Sequence, residues 1–452
     1  MGYNRISCDR RLIHFLFNIA ASFRDMHKHI LKIALPSIVS NIVVPLLGVV
    51  DLAIAGHLGA PAFIGAVSVG ATMFNLIYWN FGFLRMGTSG MTAQAYGQGN
   101  GDEAVCTLRR AVALALALGI AIIALQYPLQ WILLEIIAPD AGIAMLARDY
   151  FFICVWGAPA LLATMSFTGW FIGMQNAAYP MAIAIAINII NIATSLICVF
   201  PLGLGFHGIA VGTLVAQWSG LLLSILLYMK TKRKERLPKN ARGSLFAGMG
   251  RFFRINSDIF LRSLCLMAVT LFFTSAGARS GEITLAVNAL LMQLYLFFSY
   301  FMDGFAFAGE ALVGRFAGAK DEKNLRKCVK NLFIWGSAMA VVFSATYGAF
   351  GEEIISLLTD QPAVNAAAAD YLLWAAIMPL AGMAAFVWDG IFVGLTATRQ
   401  MLLSLAASTT AFFALYYIAP TQSNNMLWLS FAAFLIVRGM VLLAAYRRLY
   451  KF

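Results

Sequence analysis

Apolar runs long enough to cross a bilayer, about 20 residues each, recur along the whole of this chain. Nothing else in the sequence constrains the fold so strongly. Backbone inside hydrocarbon must satisfy its own hydrogen bonds, which leaves helices or closed barrels. Barrel strands alternate apolar and polar residues over short segments, and these runs do not. An all-α integral membrane protein is therefore expected. The spans fall near 30–55, 62–88, 108–127, 147–173, 179–201, 208–229, 251–276, 283–309, 329–350, 369–394, 400–419 and 425–446, twelve in all. With 61% hydrophobic and 12% charged residues, a soluble protein of this size could not cover so much apolar surface.

The net charge of +12 would suit a nucleic-acid partner if it were clustered on one folded surface. Instead it follows the membrane topology. Of 32 Lys and Arg, only Arg148 and Arg279 fall on the loops of one side, and Arg85, Arg262 and Arg438 lie within spans. The rest sit on the other side, most densely at Lys230-Thr-Lys-Arg-Lys-Glu-Arg236. Cytoplasmic loops carry such an excess, so both termini are expected in the cytoplasm and nucleic acid is not needed as a partner. Six single cysteines without a CxxC, and five histidines without metal spacing, point to no metal site and no disulfide framework. Residues 1–27 are basic with interspersed apolar positions and lack a small-residue cleavage site, which reads as a cytoplasmic or interfacial helix.

The polar, basic stretch 230–250 divides the spans six and six. The expected organisation is a first lobe over 28–229, the linker 230–250, a second lobe over 251–446, and a cytoplasmic tail 447–452. The lobes resemble one another at an offset of about 220 residues: Pro159 answers Pro379, and Gly169 and Gly173 answer Gly390 and Gly394 one residue out of step. The loop from Tyr96 to Asp102 answers the loop from Phe316 to Glu322. Six spans return the chain to the side it left. The halves should therefore be related by a pseudo-twofold axis along the membrane normal, enclosing a cavity between bundles that can rock.

Charged side chains within the spans are few. A carboxylate there costs about 3 kcal/mol on insertion scales, and such residues mark ion, proton or substrate sites or, less often, packing devices. Asp51 stands in the first span between Val50 and Leu52, followed by Ala-Ile-Ala-Gly56. Asp303 and Glu310 share one face of the eighth span, seven residues apart, and Asp389 lies near the end of the tenth. These three are candidates for coupling or substrate contact in the second lobe. Asp258 and Arg262, four apart on the seventh span, are expected to form a structural ion pair. Loss of water disfavours the charged form of a carboxylate, so Asp51 and Asp303 suit proton uptake and release. Asn188, Asn191 and Ser195 line one face of the fifth span, and Thr213 adds a hydroxyl from the sixth. Around Asp51 these oxygens suit Na⁺, chiefly at Asp51 and Asn191; on spacing alone they equally suit hydrogen bonds between helices. Pro36 and Pro45 interrupt the first span and permit it to bend. No Walker loop, GxSxG or HExxH is present, so ion-coupled transport rather than catalysis is the leading reading, with no cofactor beyond H⁺ or Na⁺.

Several segments carry a family resemblance: Ser40-Asn-Ile-Val-Val-Pro-Leu-Leu-Gly-Val-Val-Asp51, Phe83-Leu-Arg-Met86, Asp258-Ile-Phe-Leu-Arg-Ser263, Asp303-Gly-Phe-Ala306 and Asp389-Gly-Ile-Phe-Val-Gly394. Over residues 30–446 the chain resembles the multidrug and toxic compound extrusion (MATE) family, and within it the branch of DNA-damage-inducible protein F (DinF). The resemblance implies a two-lobe exporter of the cell (inner or plasma) membrane, sufficient as a monomer, that exchanges a small amphipathic or cationic substrate for H⁺, with Na⁺ second. It implies a coupling role for Asp51 and matches Asn191 and Thr213 to family positions. Ser195 and Thr168 stand where many members carry Asp and Asn, which leaves Asp51 as the main titratable group of the first lobe. Rocking of the lobes, with protonation of Asp51 releasing the substrate, is the expected mechanism. The alternatives are a lipid-linked oligosaccharide flippase of related architecture, which would need a cationic cavity, and an integral-membrane enzyme, which would need clustered catalytic side chains.

Overall fold

The computed structural model describes residues 3–238, 248–419 and 421–450, with side chains from residue 25 onward. The central part of the expected linker, 239–247, and the last two residues of the expected tail lie outside the described residues. Among the described residues, twelve helices are long and apolar enough to cross a membrane. Those of the first lobe are Asp25–Gly56, Pro61–Gly97, Gly101–Ala124, Ala141–Gly173, Ala178–Val199 and Phe206–Lys234. Those of the second are Met249–Arg279, Glu282–Gly318, Glu322–Leu358, Leu372–Gly394, Thr398–Ile418 and Asn424–Leu449. Several extend one or two turns past their apolar stretch. The ninth begins at Glu322 because Asp321 caps it, accepting from the Asn324 amide at 3.1 Å.

The two lobes are built alike to the level of single backbone contacts. Gly169 faces the carbonyl of Arg85 and Gly390 that of Ala306, each so close that a Cβ would lie 2.2 Å from the oxygen. Gly173 faces Ser89 and Gly394 faces Glu310 in the same way. In each case the second member lies 221 residues after the first. The same shift relates the left-handed residues Gln175 and Thr396, and Gly99 and Lys320. It also relates the capping side chains of Asn100 and Asp321. Where the second and eighth spans cross, Gly97 meets the carbonyl of Arg315 and Gly318 meets that of Gln94. That reciprocal contact is what a pseudo-twofold axis requires of residues lying beside it.

The first span belongs to both lobes. Ile30, Ile33, Ala34 and Ile38 are buried in the apolar core of the second lobe, with Phe305 and Leu312. Farther along, Ile54 and Ala55 are buried in that of the first, with Phe74 and Tyr150. Leu35, Val39, Val44, Leu46 and Val49 between them are exposed. The helix continues through Pro36 and Pro45.

Candidate functional site

Asp51 ends up buried, 4% exposed, where the first span meets the fifth and sixth. Its donor is Thr213, whose hydroxyl lies 3.4 Å from Asp51 Oδ2 and 3.2 Å from the Ile209 carbonyl. One hydroxyl proton can serve only one of these acceptors at a time. Asn191 donates through Nδ2 to the Thr213 oxygen at 3.1 Å. Asp51 Oδ1, Asn191 Oδ1 and Ser195 Oγ are buried without a hydrogen-bond partner among the described residues. Ser195 presses against the sixth span so closely that a Cβ on Gly212 would lie 2.0 Å from its hydroxyl. Asn188 does not join this group; its side chain donates to the Ala184 carbonyl of its own helix at 3.0 Å.

Tyr150 and Cys154, one turn apart on the fourth span, approach the same place, Tyr150 toward Thr213 and both within electrostatic reach of Asp51. Sequence reasoning missed them. Their four-residue spacing was the available signal, but many spans offer it. Behind Tyr150 stands an aromatic cluster: Phe74 stacks on Tyr78 at 5.5 Å and on Phe151 at 5.1 Å between centroids. A single buried carboxylate thus lies close to packed aromatic rings, whose π-faces attract organic cations when one reaches them.

The remaining intramembrane charges gather in and beside the second lobe. Arg85, on the second span, donates through both terminal nitrogens to Glu310 on the eighth, at 3.1 and 3.3 Å. It also lies 3.9 Å above the Phe307 ring. This bidentate pair ties one lobe to the other. Asp389 binds two guanidinium groups through one oxygen, those of Arg262 and Arg438. The expected Asp258–Arg262 pair does not form. Asp258 instead accepts from the Thr398 hydroxyl at 2.8 Å, and Arg262 turns to the tenth span. The spacing of four permits a contact along one helix, but each residue finds its partner on another span, Asp258 on the eleventh and Arg262 on the tenth. Asp303 lies within electrostatic reach of Arg85, Glu310, Arg438 and Arg262.

Comparison with known proteins agrees with this architecture. The MatE family pattern matches residues 36–197 and 259–418. DNA damage-inducible protein F of Escherichia coli (strain K12) is 37% identical, over 93% of this chain and 92% of its own length. The chain belongs to the MatE family. MatE proteins are multidrug and toxic-compound efflux transporters rather than enzymes, and this chain is a multi-pass membrane transporter of that kind. A more distant relative is the probable multidrug resistance protein NorM of Thermotoga maritima, 25% identical over 75% of this chain and 74% of its own. A crystal structure of MATE in the bent conformation shares the fold, with a TM-score of 0.85 at 18% identity, covering 94% of this chain and 96% of that one. Against the MatE frame, the three arginines within spans acquire partners that the sequence did not assign: Glu310 for Arg85, and Asp389 for both Arg262 and Arg438.

Proposed function

We propose that this MatE transporter exports an amphipathic or cationic small molecule in exchange for H⁺, with protonation of Asp51 coupled to release of the substrate. The observation that carries this reading is the environment of Asp51. A carboxylate has about four lone-pair sites to satisfy when ionised, and here one shared hydroxyl faces it while Oδ1 has no partner among the described residues. An ionised Asp51 needs a counter-charge. A cationic substrate resting against the neighbouring aromatic rings would supply one, and so would a proton, but not both together. Mutual exclusion of proton and substrate at one carboxylate couples their fluxes in exchange when the site faces alternate sides of the membrane and reorients only when loaded.

The rocking step is supported by the two halves themselves. At the end where the chain's termini lie, the lobes meet through Gly97 and Gly318, through Arg85–Glu310, and through Gln94, which donates to the Gly394 carbonyl at 3.0 Å. The positive-inside bias supports assigning that end to the cytoplasm, where these contacts close the lobes against each other, and the MatE relatives support the inner or plasma membrane. A MatE monomer contains both halves and needs no second copy to form the site. The lobe limits at 28–229 and 251–446 follow the same division.

Na⁺ is the second reading, favoured by the unpartnered oxygens of Asp51, Asn191 and Ser195. An oligosaccharide flippase is disfavoured because Arg85, Arg262 and Arg438 are engaged by carboxylates and are not available to a pyrophosphate. The test is efflux of a lipophilic fluorescent cation from proteoliposomes under an imposed pH gradient and, separately, an imposed Na⁺ gradient. Efflux driven by pH alone supports proton exchange. Efflux driven by Na⁺ alone reverses the coupling assignment.

A further inference from the structure

A cavity of about 300 Å³ opens at the seam between the lobes, at the end that carries the termini. Its lining comes from the first, second, fifth, sixth and eighth spans and the turn between the fourth and fifth. Four of its side chains are basic: His29 and Lys32 from the first span, Lys234 from the sixth and Arg315 from the eighth. Glu235 is the one carboxylate in the lining. Among the described residues, Lys32, Lys234 and Arg315 form no ion pair. Arg315 instead lies over the ring of Tyr96, 5.8 Å from its centroid. His29 donates through Nδ1 to the Asp25 carbonyl at 2.7 Å, so its Nε2 is an acceptor in the neutral ring and a donor to a phosphate only when the ring is protonated.

We infer that this seam cavity binds the phosphate of an anionic membrane lipid. The place in the fold suits a headgroup: Lys32 stands at the start of the apolar stretch of the first span, and the lining includes Tyr96 and Tyr179, a residue type enriched at membrane–water interfaces. Basic pockets between spans on the cytoplasmic side suit anionic headgroups. The cations come from elements of both lobes, so the phosphate is gripped while this end is closed. A cationic drug has no reason to enter, because the net charge of the lining repels it. This cavity is separate from the Asp51 site and stands whether H⁺ or Na⁺ drives transport.

The test uses the full chain in nanodiscs of phosphatidylcholine with increasing phosphatidylglycerol, reading retained lipid by mass spectrometry after gentle extraction. Wild type should retain phosphatidylglycerol selectively. Lys32→Gln/Lys234→Gln should lose about fivefold in retention for each cation removed. A control, Lys323→Gln/Arg399→Gln, removes the same charge from exposed positions at the same end and should retain lipid as wild type does. Equal loss in both double variants would overturn the site in favour of diffuse surface charge. Displacement of the lipid by millimolar inorganic phosphate would overturn the lipid assignment in favour of a soluble phosphate. Both double variants change exposed side chains, so folding can be verified by their unchanged elution and melting.

Discussion

Asp51 illustrates what one intramembrane carboxylate demands of its neighbours. Removing the Thr213 hydroxyl with Thr213→Val should leave Asp51 without a donor among the described residues, and an unsatisfied buried group costs about 1–3 kcal/mol. Substrate efflux should fall about tenfold while the protein still folds, as measured in proteoliposomes and by thermal melting. Unchanged efflux would show that Thr213 is only a packing contact. Asp389→Asn should be harsher, because it strands two buried guanidinium groups. Breaking a buried ionic network from one side costs about 3–5 kcal/mol, so the melting temperature should drop sharply, and a wild-type melting curve would refute the assignment. The sequence made Asp51, Asn191 and Thr213 legible because polar groups in lipid are rare enough to stand out. It did not reveal the partner of Arg262. Helical spacing constrains contacts within one span, whereas Asp389, which Arg262 shares with Arg438, comes from another span, 127 positions away along the chain.

At the scale of helices, the contacts that close one end depend on absent side chains. A Cβ at Gly318 would lie 2.1 Å from the Gln94 carbonyl, and one at Gly97 would lie 2.0 Å from that of Arg315. Backbone offers little room to yield, and overpacking of this kind costs about 1–3 kcal/mol. Gly318→Ala should therefore shift the transporter away from the closed state seen here, lengthening distances between spin labels placed on the inner ends of the second and eighth spans. Glu310→Gln should act in the same direction by releasing Arg85, and Arg85→Gln/Glu310→Gln should be milder than either single change because it strands no charge. Labels that stay at the wild-type distance in all three variants would remove these contacts from the closing mechanism. The order of Pro and Gly residues announced the repeated design in the sequence, since those residues mark where helices bend or touch. Helix ends were less legible: polar turns such as Glu322–Lys327 continue a span beyond its apolar stretch, and hydropathy registers only the part that needs lipid. The sharing of the first span between two cores was also hidden, because apolar residues on both faces read alike.

For the whole molecule, twelve spans in two related lobes were legible from segment length and internal similarity, and membership of the MatE family agrees with them. That Arg85 of one lobe pairs with Glu310 of the other was not, because that depends on how the halves dock. The central claim is that proton and substrate exclude each other at Asp51. It is tested most directly by adding a lipophilic cation to purified transporter in weakly buffered solution, near the midpoint of the pH dependence of its binding, and recording proton release. Wild type should release up to about one proton for each substrate bound, and Asp51→Asn should release none, whether or not it still binds. Proton release by Asp51→Asn equal to that of wild type would contradict the account and move the coupling carboxylate elsewhere, with Asp303 the next residue to test.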